Sequence, residues 1–125
     1  MTPLGSMLRD LRRQRGVTLK DMADAVGVSA AYLSALEHGR RGKPTFDLVQ
    51  RLIGYFNIIW DDAEALERVV QISHPRVVVD TSGLSPRATE LANRLAIGIG
   101  DLSEEEIARM LAVLDAAKAR SPGRR

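Results

Sequence analysis

The side chains of this chain best suited to chemistry are basic and stand close together. Arg40, Arg41 and Lys43 fall in Gly39-Arg40-Arg41-Gly42-Lys43-Pro44, a loop by composition. Three cations on a short loop suit either an anionic partner or a solvated charged turn. The surrounding charge is uneven. Residues 1–43 carry eight basic and four acidic side chains, residues 44–74 two and five, and residues 75–125 eight and seven. Across all 125 residues, 18 Lys plus Arg against 16 Asp plus Glu leave a net charge of only +2. The basic first third, and not the total, points to an anionic partner.

Other chemistries find little support. With no cysteine there is no disulfide, thiolate metal site or cysteine nucleophile. His38 and His74 stand 36 positions apart with no ligand spacing around them. Asp61, Asp62 and Glu64 read as a capping cluster, and Glu104, Glu105 and Glu106 as a helix start. No Ser-His-Asp grouping, phosphate-cradling glycine loop or pair of catalytic carboxylates is recognisable. The expectation is therefore a protein that is not an enzyme and holds neither metal nor cofactor. Apolar runs such as Val77–Val79 and Leu111–Leu114 are far short of the roughly 20 residues that span a bilayer. The N-terminus has no apolar signal-peptide core. With 45% hydrophobic and 27% charged residues, the chain reads as a soluble, cytoplasmic globular protein without membrane contact.

The elements that must position the basic loop are helical. Leu4, Met7, Leu8 and Leu11 recur at i, i+3, i+4 and i+7, which predicts a helix over 3–15 stopped by Gly16. Thr18 is a natural N-cap for a second helix striped by Leu19, Met22, Ala23 and Val26, with Asp21 at its positive end. Ser29 caps a third, from Ala30 to His38, with Leu33 and Leu36 inward and Gly39 at its end. Thr45 caps a fourth, with Val49, Leu52, Ile53 and Phe56 inward, broken at Asn57. Asp61 caps a fifth, from Asp62 to about Gln71, and Trp60 packs as core in the turn before it. Residues 1–73 thus form an all-α, five-helix domain. Residues 74–84 read as an extended linker with room for one short strand at Val77–Val79. Residues 85–120 hold two more helices, the first capped by Ser85 with Pro86 at its start, the second opened by the capping box Ser103–Glu106. Residues 121–125 read as a frayed basic tail.

Residues 19 to 38 have the layout of a helix-turn-helix. Two short helices crossing closely need a small residue where they touch, supplied by Ala23, and a turn residue tolerant of positive φ, supplied by Gly27. Met22, Val26, Val28, Leu33 and Leu36 then anchor both helices to one core. On the run Gly16–Gly39, with Arg40, Arg41 and Pro44 after it, the chain resembles the Cro and lambda-repressor-like family, also called XRE-type regulators. The resemblance spans residues 3 to about 70. It implies a five-helix domain whose third helix enters the major groove of double-stranded DNA, and a dimer on a pseudo-palindromic operator.

The resemblance also implies roles for single residues. The base-facing set is Ala30, Ala31, Tyr32, Ser34 and Ala35, opposite Leu33 and Leu36. The phosphate-facing set is Thr18, Leu19, Lys20, Ser29, Arg40, Arg41 and Lys43. Many members carry glutamine where this chain has Leu19, which removes one polar contact that neighbouring Lys20 can replace. Alanine makes no bidentate hydrogen bond to a base, so selectivity is expected to lean on thymine methyl groups, Tyr32 and DNA deformability. Glu37 reads as structural, paired with an arginine such as Arg13. His38 reads as a cap or a phosphate neighbour, and His74 as exposed.

The second half needs a partner, because two helices alone bury little. Leu91, Leu95, Ile107, Met110, Leu111 and Leu114 are its dimerisation candidates; folding back onto the first domain is the alternative. Three readings of the whole stand open. One is a nucleoid-associated transcriptional regulator, in sense a repressor, acting as a homodimer. The second is an antitoxin-type subunit whose C-terminal half binds a toxin. The third is an architectural DNA-binding protein with little sequence preference.

Overall fold

The computed structural model describes residues 1–57 and 61–120. The readings of Trp60 as core, of the Asp61 side chain as a cap and of residues 121–125 as a tail lie outside what it describes. The described residues are all-helical: α1 (Pro3–Arg15), α2 (Leu19–Val26), α3 (Ala30–Glu37), α4 (Phe46–Tyr55), α5 (Asp61–Gln71), α6 (Pro86–Gly98) and α7 (Glu104–Arg120), with a 3-10 turn at Ile99–Asp101. They divide into two compact units, Met1–Val77 and Val78–Arg125.

Local chemistry sets the helix ends of the first unit. The hydroxyls of Thr2, Thr18, Ser29 and Thr45 each accept a backbone N–H from the first turn of the helix they precede. Gly16 and Gly27 close α1 and α2 in the left-handed region, at φ 65° and 78°. Apolar faces then meet in one core: Leu4 and Leu8 of α1, Met22, Ala23 and Val26 of α2, Leu33 and Leu36 of α3, Leu48, Val49 and Leu52 of α4, and Phe56, Leu66 and Val70. α2 packs on α3 and α4, and α1 on α3 and α5.

One contact in this core is made by backbone and charge. A Cβ on Gly5 would lie 2.2 Å from the Glu37 carbonyl oxygen, so only glycine lets α1 lie this close to the end of α3. Thr2 donates its backbone N–H to that carbonyl at 2.9 Å. The Glu37 side chain, fully enclosed, is held in a two-pronged pair by the buried guanidinium of Arg12. The expected partner Arg13 instead faces solvent beside Asp10, 3.8 Å away. The reason is helical phase. Leu4, Leu8 and Arg12 follow one another at i+4 on the buried face, and Arg13 is turned about 100° from it.

The expected room for a strand at Val77–Val79 is not used. The described residues contain no strand, and the three valines are 74%, 96% and 64% exposed. β-branched residues favour extended backbone, but a strand also requires a partner to complete its hydrogen bonds.

In the second unit, Ser85 caps α6 by accepting the Ala88 N–H at 3.2 Å. Ser103 and Glu106 form the expected reciprocal box at the start of α7, at 2.9 and 3.1 Å. Neither helix buries a residue. Leu91, Leu111 and Leu114 are exposed, while Leu95, Ile107 and Met110 are half-buried. α6 packs mainly on the 3-10 turn that follows it.

The Arg12–Glu37 pair gives the first prediction. Arg12→Ala or Glu37→Ala leaves one buried charge unpaired and lowers the stability of the first unit by about 3–5 kcal/mol. The double variant Arg12→Met with Glu37→Leu loses less than either single change. Hydrogen exchange of the α2–α4 amides measures both.

Candidate nucleic-acid interface

Two helices and one loop assemble the candidate surface, and each is fixed at its ends. At the start of α2, Thr18 and Asp21 form a reciprocal box: Asp21 donates its N–H to the Thr18 hydroxyl, and Thr18 donates its N–H to the Asp21 carboxylate, both at 3.0 Å. The N–H groups of Leu19 and Lys20 have no intrahelical acceptor, as at any helix start, and are the donors an anion would meet. The Leu19 side chain packs half-buried against the core, so its contribution there is its backbone. Lys20 is exposed and pairs with Asp24 at 3.1 Å, an exposed pair that costs little to break.

α3 follows the Gly27 turn. Ser29 caps it by accepting the Tyr32 N–H at 3.0 Å. Of the residues expected to face outward, Ala31 is exposed, while Ala30, Tyr32, Ser34 and Ala35 are half-buried. Ala30 and Tyr32 touch the core. Tyr32 lies one turn before Leu36 and is partly buried against the core. His38 ends the helix, with Nδ1 2.8 Å from the Ser34 carbonyl, as a cap.

The basic loop is anchored on both sides. Arg40 donates its backbone N–H to the Ala35 carbonyl at 2.8 Å, and Pro44 is buried. The side chains of Arg40, Arg41 and Lys43 between them are exposed. The Arg41 guanidinium lies over the Tyr32 ring, 5.4 Å from its centroid. The start of the linker backs the loop: Pro75 and His74 stand 3.5 Å from where a Cβ on Gly39 and Gly42 would be.

Sequence reasoning missed three residues that hold this surface. Arg51 of α4 donates to the Val26 carbonyl at 3.1 Å and so closes the C-terminal end of α2 beside the turn. Ser73 accepts the Leu4 N–H at 2.9 Å. Gly5 lets α1 meet α3. Of these, only Gly5 has a trace in the sequence, a glycine inside a helical stripe.

A family model described as "Helix-turn-helix domain" matches residues 3–67, just over half of the chain. The chain belongs to this helix-turn-helix domain family. The match takes in α1 to α4 and much of α5, and none of the second unit. The chain is 32% identical over 71 residues to "Uncharacterized HTH-type transcriptional regulator RghRB" of Bacillus subtilis (strain 168), covering 57% of this chain and 51% of that protein. It is 44% identical over 55 residues to "HTH-type transcriptional regulator DdrOP3" of Deinococcus deserti, covering 44% and 42%. It is 40% identical over 52 residues to "HTH-type transcriptional repressor RghR" of Bacillus subtilis (strain 168), covering 42% and 38%. The chain thus spans about half or less of the length of these curated relatives. Among the described residues, no helix is long and apolar enough to cross a membrane.

The cap of α2 carries a pH signature. The Asp21 carboxyl is held below its ordinary 3.8, chiefly because it accepts the Thr18 backbone N–H, and next through the Thr18 side chain. A carboxyl depressed in the folded state stabilises above its unfolded pKa and loses that contribution as pH falls through the folded value. The start of α2 is therefore expected to loosen only in acid, below the ordinary carboxylate range. An NMR titration should place the Asp21 midpoint below 3.8, and Thr18→Ala should raise it part of the way back.

Proposed function

We propose that this chain is a sequence-specific transcriptional regulator of double-stranded DNA, a repressor in sense. In this reading it binds a pseudo-palindromic operator as a homodimer, with α3 in the major groove. The observation that carries the reading is the pair of capped helices α2 and α3 around Gly27, followed by a loop that holds Arg40, Arg41 and Lys43 exposed between a bonded start and a buried proline. The relatives named as transcriptional regulators, one of them a repressor, support the same reading. Phosphate contacts from Lys20, Arg40, Lys43, Ser29 and the first amides of α2 supply most of the affinity. The domain limits of the proposal are 1–73, 74–84 and 85–120. The cytoplasm is where such a protein would meet its operator.

The second unit supplies the dimer in this reading. No residue of α6 or α7 is fully buried, and Leu91, Leu95, Ile107, Met110, Leu111 and Leu114 are the surface a second copy would cover. α7 is acidic in its first turn, at Glu104, Glu105 and Glu106, and basic in its last, at Lys118 and Arg120. Two α7 helices laid antiparallel bring opposite charges together at both ends. A two-fold dimer presents two copies of α3 about 34 Å apart to successive major grooves. The same uncovered surface is what favours the second reading, an antitoxin-type subunit that regulates its own operon and receives a toxin there.

Selection of binding sites from a random duplex pool with the full chain tests the function. The expected result is a symmetric site preferred over random DNA by roughly 10³-fold or more at physiological salt. Equal binding to all sequences favours an architectural protein and refutes a sequence-specific regulator. Arg40→Ala and Lys43→Ala should weaken all sequences about equally, each reducing the salt slope by about 1. Sedimentation equilibrium tests the dimer. The double variant Leu111→Glu with Leu114→Glu should be monomeric and lose the two-half-site preference, while hydrogen exchange of the α2–α4 amides stays unchanged. Co-purification of a small protein encoded beside this chain would favour the antitoxin reading.

A further inference from the structure

The surface described above has a gap in its readout. Ala30, Ala31 and Ala35 offer no hydrogen-bonding side chain, and Ser34 is half-buried. If α3 lies in the major groove, these positions leave room at the groove floor and few donors to fill it. Arg41 lies beside that space. Its guanidinium stands over the ring of Tyr32, which sits in the first turn of α3 with its N–H tied to Ser29. Tyr32 is itself held by the core, and the loop that carries Arg41 is pinned at Arg40 and Pro44.

We propose that Arg41 reads a guanine in the major groove, with Tyr32 as the positioning residue that holds its guanidinium in plane. The inference rests on the DNA-binding reading of the same surface and replaces one phosphate contact by a base contact. A guanidinium packed over an aromatic face keeps two parallel N–H donors free at its edge. Those donors match the adjacent O6 and N7 acceptors of guanine, the commonest specific pairing for arginine. A phosphate needs no such fixed plane, because its oxygens accept from many directions. Arg40 and Lys43 flank Arg41 on the same loop, and among the described residues neither has an ion pair or a ring contact. They serve the backbone, and the cation over the Tyr32 ring serves the base. One guanine per half-site would then stand among positions chosen by methyl contact and DNA shape.

Binding-site selection and competition with the full chain test this on five variants. The parent protein should select one guanine per half-site. Arg41→Ala should abolish the preference at that base pair alone, a loss of about 5- to 150-fold against the other three bases. Arg41→Lys should recover little of it, since ammonium lacks the paired donors. Tyr32→Phe keeps the ring face and should keep the guanine. Tyr32→Leu keeps apolar bulk against the core without a π face and should weaken selection at the same base pair. Arg40→Ala should weaken every sequence alike and leave the motif intact. A uniform loss across all sequences in Arg41→Ala would make Arg41 a phosphate contact and overturn the assignment. Unchanged guanine selection in Tyr32→Leu would overturn the positioning role, and loss of it in Tyr32→Phe would pass the reading to the tyrosine hydroxyl. If the parent protein binds no DNA in the selection, the functional reading itself fails, a result distinct from any variant's.

Discussion

The junction between α1 and the end of α3 is the constraint from which the candidate surface follows. Glu37 closes α3 and is enclosed on all sides, a position that a lone carboxylate could not occupy without a large desolvation cost. Arg12 offsets that cost from α1, and the contact of Gly5 with the Glu37 carbonyl leaves no slack between the helices. The end of α3 is fixed by this pair and its start by Ser29. What emerges from the core is then a short rod held at both ends, followed at once by the basic loop. Without the pair, the loop would still be basic but its origin would drift.

The two units solve the burial problem in opposite ways. The first satisfies itself: five helices enclose a core to which each contributes. The second has well-made helix starts and almost nothing to rest on. Capping and propensity can specify where a helix begins, but helices of this length in water draw most of their stability from packing. Apolar side chains left in water at Leu91, Ile97, Val113 and Leu114 are a cost that nothing within the unit offsets.

Much of this architecture was legible from short-range pattern. Thr18, Ser29, Thr45, Ser85 and Ser103 announce helix starts because a cap needs only residues within one turn. Gly16 and Gly27 announce stops for the same reason. The helix-turn-helix was readable because its constraints fall on neighbouring positions. What escaped was long-range or depended on phase. Arg12 and Glu37 are 25 positions apart, and only helical phase separates Arg12 from its neighbour Arg13. Arg51 reaching the end of α2, and Arg41 reaching Tyr32, depend on the path of a loop that composition does not encode. Val77–Val79 misled in another way, because β-branched sequence shows a preference for extended backbone but cannot supply a neighbouring strand.

The hydrogen bond from Leu4 to Ser73 has a consequence for how this domain can be joined to others. It ties the first turn of α1 to the segment that follows α5, close to where the first unit ends. A domain with adjoining ends is topologically closed: it can be grafted into a surface loop of an unrelated protein without prying the host apart, or recircularised with a short bridge and opened elsewhere.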